Sequence, residues 1–296
     1  MVKLNLKLTP SIKSLDIISK GIISSSVLGN YKSTFKGKGL EFSNYRSYDK
    51  GDDASIIDWK ASIRTNEILV KEFVEERNMD VFFLLDASSS MLFGSGHLLK
   101  LEYAMELMSS LFYIVLKSGD SAGFALFNDK IITKMYPARG NDKFYILKKT
   151  LTRFDIYGGS YDIENALRFI RHYLKPRTLV IIISDFIGMK DKGWEKALGI
   201  ASREFEIIGI MVRDKHDSTL PSDTGQIVVE DPYSRQQLLI DPRLIKKDYE
   251  KYAKSQEQEI KNAFTKVNAD FLPLSSNEDF IKPIMSFFNA RRGRMR

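Results

Sequence analysis

The sequence contains no cysteine and only three histidines, His97, His172 and His216. The lack of cysteine excludes disulfide bonds, thiolate metal sites and cysteine nucleophiles, and three histidines leave few imidazole ligands or bases. Long apolar runs are also missing, since runs such as Leu179 to Ile183 fall far below the ~20 residues that span a bilayer. The amino terminus lacks the apolar core of a signal peptide. These absences predict a cytoplasmic protein with few of the side chains that most hydrolases use.

The charge of the chain is concentrated at its two ends. The chain has 296 residues, of which 43% are hydrophobic, and its net charge is +7. Residues 1–40 contribute +6 and the last six residues contribute +4, so the rest carries about −3. Basic ends permit binding to nucleic acid or to an anionic surface, although no zinc-finger spacing or RNA-binding aromatic signature supports this alternative. The length suits one large domain, or one domain with an extension.

The first 78 residues differ in pattern from the remainder. Thr9-Pro10 is a favourable helix start, and apolar residues recur at helical spacing from there to Gly29. Residues 30–78 have the pattern of loops and short strands, with 68–73 extended. We therefore predict an N-terminal extension over 1–78, a main domain over 79–290 and a basic tail over 291–296.

Apolar strands and amphipathic helices alternate after Met79. Strands are predicted at 79–86, 122–127, 131–135, 179–185, 207–212 and 271–272. Helices are predicted at 98–117, 142–151, 162–174, 193–203, 244–266 and 279–290. A hairpin around Asp231-Pro232 is predicted as a local addition to the main sheet. This order predicts an α/β fold, in which a doubly wound, mostly parallel sheet is flanked by helices.

Three segments end in oxygen-bearing side chains where buried strands end. Asp86-Ala87-Ser88-Ser89-Ser90 follows an apolar strand and has the pattern D-x-S-x-S. Ser160 follows a glycine pair, and Asp185 ends a second apolar strand. Loops at the carboxyl ends of parallel strands meet at one crevice. Carboxylate and hydroxyl oxygens suit Mg²⁺ or Mn²⁺, which keep coordination positions open for a partner.

These residues resemble the von Willebrand factor A (vWA) fold and its metal-ion-dependent adhesion site. Asp86, Ser88 and Ser90 match the first loop of that site, Ser160 the second and Asp185 the third. The family more often has threonine where this chain has Ser160. The resemblance implies a Mg²⁺ (or Mn²⁺) ion that accepts an acidic side chain from a protein partner.

A second block of residues resembles the signature of the MoxR-associated vWA proteins, known as domain-of-unknown-function family 58, in its short soluble form. The block comprises Phe35 to Phe42, Arg46, Tyr48, Gly51-Asp52-Asp53, Ile57-Asp58-Trp59-Lys60-Ala61 and Arg64-Thr65. Where members usually carry arginine after Gly-Asp-Asp, this chain has Ala54-Ser55-Ile56. The resemblance implies an adaptor of a MoxR-type AAA+ ATPase in complex assembly, metal insertion or chaperoning.

The aspartates of this block are interpreted as turn and helix-capping residues rather than as a second metal site. They are Asp52, Asp53 and Asp58. Arg46 and Arg64 are predicted to pair with them, since the planar guanidinium group can bind two carboxylate oxygens at once. Trp59 is predicted to be a core anchor.

An enzymatic alternative uses the same cation to activate water, as a metal-dependent hydrolase with His97 or Asp162 as the general base. A serine hydrolase is disfavoured because the chain has no G-x-S-x-G motif. Lys36-Gly37-Lys38-Gly39 lacks the spacing of a phosphate-binding loop, so ATP hydrolysis by this chain is not expected. The preferred hypothesis is therefore a non-enzymatic, Mg²⁺-dependent protein-binding module.

Overall fold

The computed structural model describes residues 41–49, 52–74, 79–189, 193–221 and 225–294. The predicted helix from Thr9 to Gly29 and the signature residue Gly51 lie outside these ranges. In the described ranges, no helix combines the length and the apolar character needed to cross a bilayer.

The described elements follow the predicted alternation closely. The strands are β1 (Glu41–Ser47), β2 (Leu69–Val74), β3 (Asp80–Asp86), β4 (Ser121–Phe127), β5 (Ile131–Ala138), β6 (Leu179–Ser184), β7 (Glu206–Arg213), β8 (Ile227–Glu230), β9 (Gln237–Ile240) and β10 (Asp270–Ser275). The α-helices are α1 (Trp59–Thr65), α2 (Lys100–Lys117), α3 (Asp142–Leu151), α4 (Ile163–Tyr173), α5 (Gly193–Ala201), α6 (Lys215–Ser218), α7 (Pro242–Lys266) and α8 (Ile281–Arg294). Short 3₁₀ turns lie at Ala54–Ile56, Ser89–Leu92 and Phe154–Ile156.

A six-stranded sheet forms the centre of the fold, in the order β10-β7-β6-β3-β4-β5. Neighbouring strands run parallel except for the edge strand β5, which is antiparallel to β4. The predicted fold class is confirmed, and this is the doubly wound arrangement that the resemblance to the vWA fold implies. Because β3 and β6 are neighbours, the loops that follow them open side by side at one edge of the sheet.

The sheet is covered on both faces. Val81, Phe83 and Leu85 of β3 pack with α2, α3 and α8 on one face, whereas Phe82 and Leu84 pack with α4, α5 and α7 on the other. All five side chains are fully buried, and each large one contributes about 1.5–3 kcal/mol through removal from water. This burial on both faces fixes the strand ends, and therefore the site, in a rigid frame.

The signature block folds as the antiparallel pair β1–β2 with α1, a helix that the sequence pattern did not predict. The predicted capping role is confirmed, because the carboxylate of Asp58 accepts from the amides of Lys60 and Ala61 at the start of α1. Arg46 binds both oxygens of Asp52 at 2.6 Å. This bond, followed by one from the Asp49 amide, lowers the pKa of Asp52 to about 2.

Two predictions within this block are wrong. Trp59 is not a core anchor, because its side chain is 62% exposed, and Ile63, one helical turn later, is 81% exposed. The helix is instead fixed by its cap and by Ser62, whose hydroxyl accepts from the amide of Leu69 at 2.9 Å. The cation that pairs with Asp58 is Lys71, at 3.2 Å, while Arg64 lies exposed on α1.

The hairpin and the carboxyl end also differ from expectation. Strands β8 and β9 form a two-stranded sheet of their own rather than an addition to the main sheet. Helix α8 continues past its predicted end, and Arg291 is 3% exposed within it. Arg291 forms ion pairs with Glu206 and Asp270 at the edge of the main sheet. It is therefore a buried structural residue and not part of a solvated basic tail.

Candidate functional site

Four of the five predicted metal ligands meet where β3 and β6 end. These four, named here the oxygen cluster, are Asp86, Ser88, Ser90 and Asp185. The hydroxyls of Ser88 and Ser90 lie 3.3 Å apart, and Ser90 donates to Asp185 Oδ1 at 3.1 Å. Each of the four residues is at most 2% exposed. The D-x-S-x-S loop and the second strand end thus form one buried, hydrogen-bonded group.

Asp86 is held rigidly from two sides. Its Oδ1 accepts from the amide of Ser88 at 2.8 Å, and its Oδ2 accepts from the hydroxyl of Ser184 at 2.6 Å. The hydroxyl of Tyr161 lies 3.2 Å from the same Ser184 oxygen. Burial, followed by the charge of nearby Asp185, raises the pKa of Asp86 to about 7. A cation at this carboxylate would favour its ionised form.

Asp185 carries a buried ion pair that the sequence did not reveal. Lys100, at the start of α2, is 1% exposed, and its Nζ lies 2.7 Å from Asp185 Oδ2 and 2.8 Å from Asp217 Oδ2. Burial alone would lower the pKa of Lys100, but the charges of Asp185 and Asp217 outweigh it and raise that pKa. The ammonium group therefore stays charged and balances Asp185 from inside the protein.

The second loop lies against the first through its glycines. The amide of Gly158 donates to the carbonyl of Ala87 at 2.7 Å, and the amide of Ser89 donates to the carbonyl of Gly159 at 3.0 Å. Gly159 has a φ of +93°, and a Cβ there would lie 2.7 Å from Asn128 Nδ2, so only glycine fits without strain. Ser160 follows on this loop with an exposed side chain.

Ser160 borders a cavity of about 310 Å³. The other residues that line it are Asp129, Tyr161, Asp162, Ile163, Glu164, Gly188, Met189 and Trp194. The glycines before Ser160 contact the first loop, but none of the described hydrogen bonds joins the exposed Ser160 side chain to the oxygen cluster.

A tyrosine from a distant part of the chain closes the cluster. The hydroxyl of Tyr233, in the turn between β8 and β9, lies 3.0 Å from Ser90 Oγ and 3.4 Å from Ser88 Oγ. It also donates to the carbonyl of Ile187 at 2.8 Å. Burial, followed by the charge of Asp185, raises the pKa of Tyr233, so its hydroxyl remains protonated at neutral pH.

The donor set fits a hard divalent cation in chemical type. Across the part of the chain that the structure describes, no three histidine or acidic side chains gather in a way that could hold a metal. A cation at the oxygen cluster would therefore be held by two carboxylates and two hydroxyls, which are the oxygen donors that Mg²⁺ and Mn²⁺ accept. Lys100 and the Tyr233 hydroxyl already contact these donors, so a cation would have to replace or rearrange those contacts.

The two candidate general bases lie in different places. His97 lines a separate cavity of about 300 Å³ with Tyr103 and Glu106. Asp162 lines the same cavity as Ser160, and its carboxylate also accepts from the amide of Asn165 and so caps α4. The structure therefore separates His97 from the second loop but keeps Asp162 beside Ser160.

Residues 44–259 match a family described as "Protein of unknown function DUF58". The chain therefore belongs to this family, as its signature block indicated. The uncharacterized protein Rv1480 of Mycobacterium tuberculosis (strain ATCC 25618 / H37Rv) is 24% identical to it over 290 residues, which are 97% of this chain and 90% of the relative.

Solved structures share the fold at low sequence identity. An aerotolerance-related membrane protein from Bacteroides fragilis NCTC 9343 superposes with a TM-score of 0.52 and 15% identity, over 74% of this chain and all of that one. The conserved hypothetical protein BatB from Bacteroides thetaiotaomicron superposes with a TM-score of 0.51 and 16% identity, over 73% of this chain and all of that one. At such identities the likeness shows a common fold and no shared ligand.

Proposed function

We propose that this protein is a non-enzymatic binding module that holds Mg²⁺ at the oxygen cluster and, through it, an acidic side chain of a protein partner. The observation that supports this most directly is the pair of buried hydroxyls of Ser88 and Ser90, 3.3 Å apart, between the carboxylates of Asp86 and Asp185. Buried polar groups are expensive to keep unless they serve a structure or a ligand. Here they lie at the sheet edge where α/β folds bind ligands.

The charges at the cluster favour an acidic partner. Lys100 is shared between Asp185 and Asp217, so the negative charge of Asp185 is already partly compensated, and the two serine hydroxyls are neutral donors. Asp86 would then be the main anionic ligand of a divalent ion, and a partner carboxylate would supply a second one. In this proposal Asp86, Ser88, Ser90 and Asp185 hold the ion, and Ser160 contributes from the exposed side.

Family membership supports a proposal for the partner itself. The signature block resembles MoxR-associated proteins, so we propose a MoxR-type AAA+ ATPase as the partner in the cytoplasm. The chain would act there as an adaptor in complex assembly, metal insertion or chaperoning. No small-molecule substrate is required by this role.

The metal site is tested by calorimetric titration with Mn²⁺. We expect measurable binding to the natural protein and loss of that binding in Asp86→Asn, because the amide removes the anionic oxygen while keeping the side-chain shape. Asp142→Asn, which alters an exposed carboxylate on α3, is the matched control and should bind like the natural protein. Equal Mn²⁺ affinity in Asp86→Asn and in the control would refute the site.

The partner is tested by affinity capture from native lysate in Mg²⁺ and in EDTA. Recovery of an AAA+ ATPase by the natural protein in Mg²⁺, but not in EDTA or by Asp86→Asn, is the expected result. Recovery that ignores the metal would place the interface elsewhere. Recovery of no ATPase under any condition would contradict the adaptor role.

A further inference from the structure

We infer that the β8–β9 hairpin is an internal plug, whose Tyr233 hydroxyl occupies the oxygen cluster and must leave before a metal-bound partner carboxylate can enter. This inference rests on the proposed function, because it concerns how the same site opens. It assigns to Tyr233 a regulatory contact that spans more than 140 residues of sequence.

The position of the hydroxyl carries the argument. It lies on the two serine oxygens, at 3.0 and 3.4 Å, which are the neutral donors that the cation would use. The cluster residues are at most 2% exposed with the tyrosine in place. A partner side chain therefore has no route to Ser88 and Ser90 while Tyr233 remains there.

The protein provides a fitted seat for the tyrosine ring. A Cβ on Gly188 would lie 2.6 Å from Tyr233 Cε2, a distance at which two carbon atoms collide, so the bare glycine backbone is what admits the ring. Gly188 has a φ of +93°, and the preceding carbonyl, that of Ile187, accepts the tyrosine hydroxyl at 2.8 Å. The ring therefore packs against the loop that follows Asp185, and its hydroxyl donates a hydrogen bond to that loop.

The hairpin turn is rigid without help from the main domain. Asp231 Oδ1 accepts from the amides of Tyr233 and Ser234, and the Asp231 amide donates to the carbonyl of Gln236 at 2.9 Å. Such local bonds fix the turn by itself. The tyrosine is therefore presented by a preformed element that can move as a unit.

Movement of the hairpin would uncover only one of its faces, where Ile227, Val229 and Ile240 are half-buried. Its two strands pair with each other and form a sheet separate from the central one. The side chains of Val228, Leu238 and Leu239 are 60%, 62% and 58% exposed. The hydroxyl contacts and the ring seat of Tyr233 are therefore a large part of what holds the turn against the cluster.

The test compares Mn²⁺ affinity in the natural protein, Tyr233→Phe and Tyr157→Phe. Tyr157 is the matched control, because its buried hydroxyl donates to the carbonyl of Leu151 at 2.8 Å. None of the described hydrogen bonds of this hydroxyl reaches the oxygen cluster. Loss of one net hydrogen bond that opposes the metal should tighten Mn²⁺ binding about tenfold in Tyr233→Phe. Affinity that is unchanged or that falls overturns the plug.

A second measurement follows the hairpin directly by hydrogen exchange. Saturating Mn²⁺ with an acidic peptide should speed hydrogen exchange of the amides in 227–240 of the natural protein, because the hairpin would then have lost its contacts with the oxygen cluster. Exchange that stays the same or slows overturns the plug even if the metal binds. Absence of Mn²⁺ binding in every variant overturns the metal site and the plug together, so the two failures are distinguishable.

Discussion

Replacement of Lys100 by methionine tests whether the ammonium is the internal counter-charge of the site. Methionine keeps the length and most of the apolar stem of lysine but removes its charge. The substitution leaves Asp185, which is fully buried, and Asp217 without their shared cation. Both ion pairs are short, at 2.7 and 2.8 Å, so the lost interaction is well defined.

The expected loss of stability follows from the burial. Removal of one partner of a buried ion pair costs about 3–5 kcal/mol, because the remaining charge has neither water nor a counter-ion. For a chain of this size the corresponding fall in Tm is roughly 10 °C. Because the natural pKa of Lys100 is raised, its charge is present throughout the neutral range and the loss should not depend on pH there.

The assay is urea unfolding in EDTA, followed by the same experiment with saturating Mn²⁺. Lys143→Met is the matched control, since Lys143 pairs with Asp142 at a similar 2.7 Å but on the surface. We expect little change in the control and partial recovery of Lys100→Met by Mn²⁺, which supplies the missing positive charge. A loss in Lys100→Met as small as that in the control would refute the counter-charge argument.

Two further predictions concern the cluster and its second loop. In EDTA, the raised pKa of Asp86 means that the folded protein binds the Asp86 proton more tightly than the unfolded chain does. Protonation of Asp86 therefore stabilises the fold. This stabilisation is complete below 3.8, the pKa of the unfolded chain, and is lost as pH rises through about 7. Asp86→Asn should remove that part of the pH dependence, which thermal unfolding across this interval would reveal, and an unaltered profile would show that Asp86 is not its source. Gly159→Ala should lower stability by about 1–2 kcal/mol because of the left-handed backbone, and its Cβ would meet Asn128; urea unfolding measures this, and a neutral effect would mean that the loop adjusts freely.

The sequence allowed the frame of the site to be predicted because the frame depends on local patterns. Continuous apolar runs such as 179–183 mark strands buried on both faces, and two of these runs lead into Asp86 and Asp185. The adjacency of Asp86 and Asp185 then follows from the topology of a parallel sheet. The role of Ser160 stays a prediction, and the exposure of its side chain is a tertiary detail that spacing does not encode.

The contacts that complete the site were not predictable from local patterns. Lys100 is one cation in a strongly apolar helix, and its partners lie 85 and 117 residues further along the chain. Tyr233 belongs to a hairpin whose sequence predicts only its turn. The prediction for Trp59 failed for a different reason. The size of its side chain suggested burial, but α1 is held by the cap at Asp58 and by the hydroxyl of Ser62, and Trp59 is exposed.

The internal partners also explain how the carboxylates and hydroxyls of the oxygen cluster can be buried together. Asp185 has the ammonium of Lys100, and the serines have the hydroxyl of Tyr233, so the donors are already satisfied. Cation binding is then an exchange of partners rather than the filling of a gap. Lys100→Met should tighten Mn²⁺ binding at a large cost in stability, whereas Tyr233→Phe should tighten it at a small one. A large loss of stability in Lys100→Met and a small one in Tyr233→Phe, with a gain in affinity in both, would separate the counter-charge from the plug.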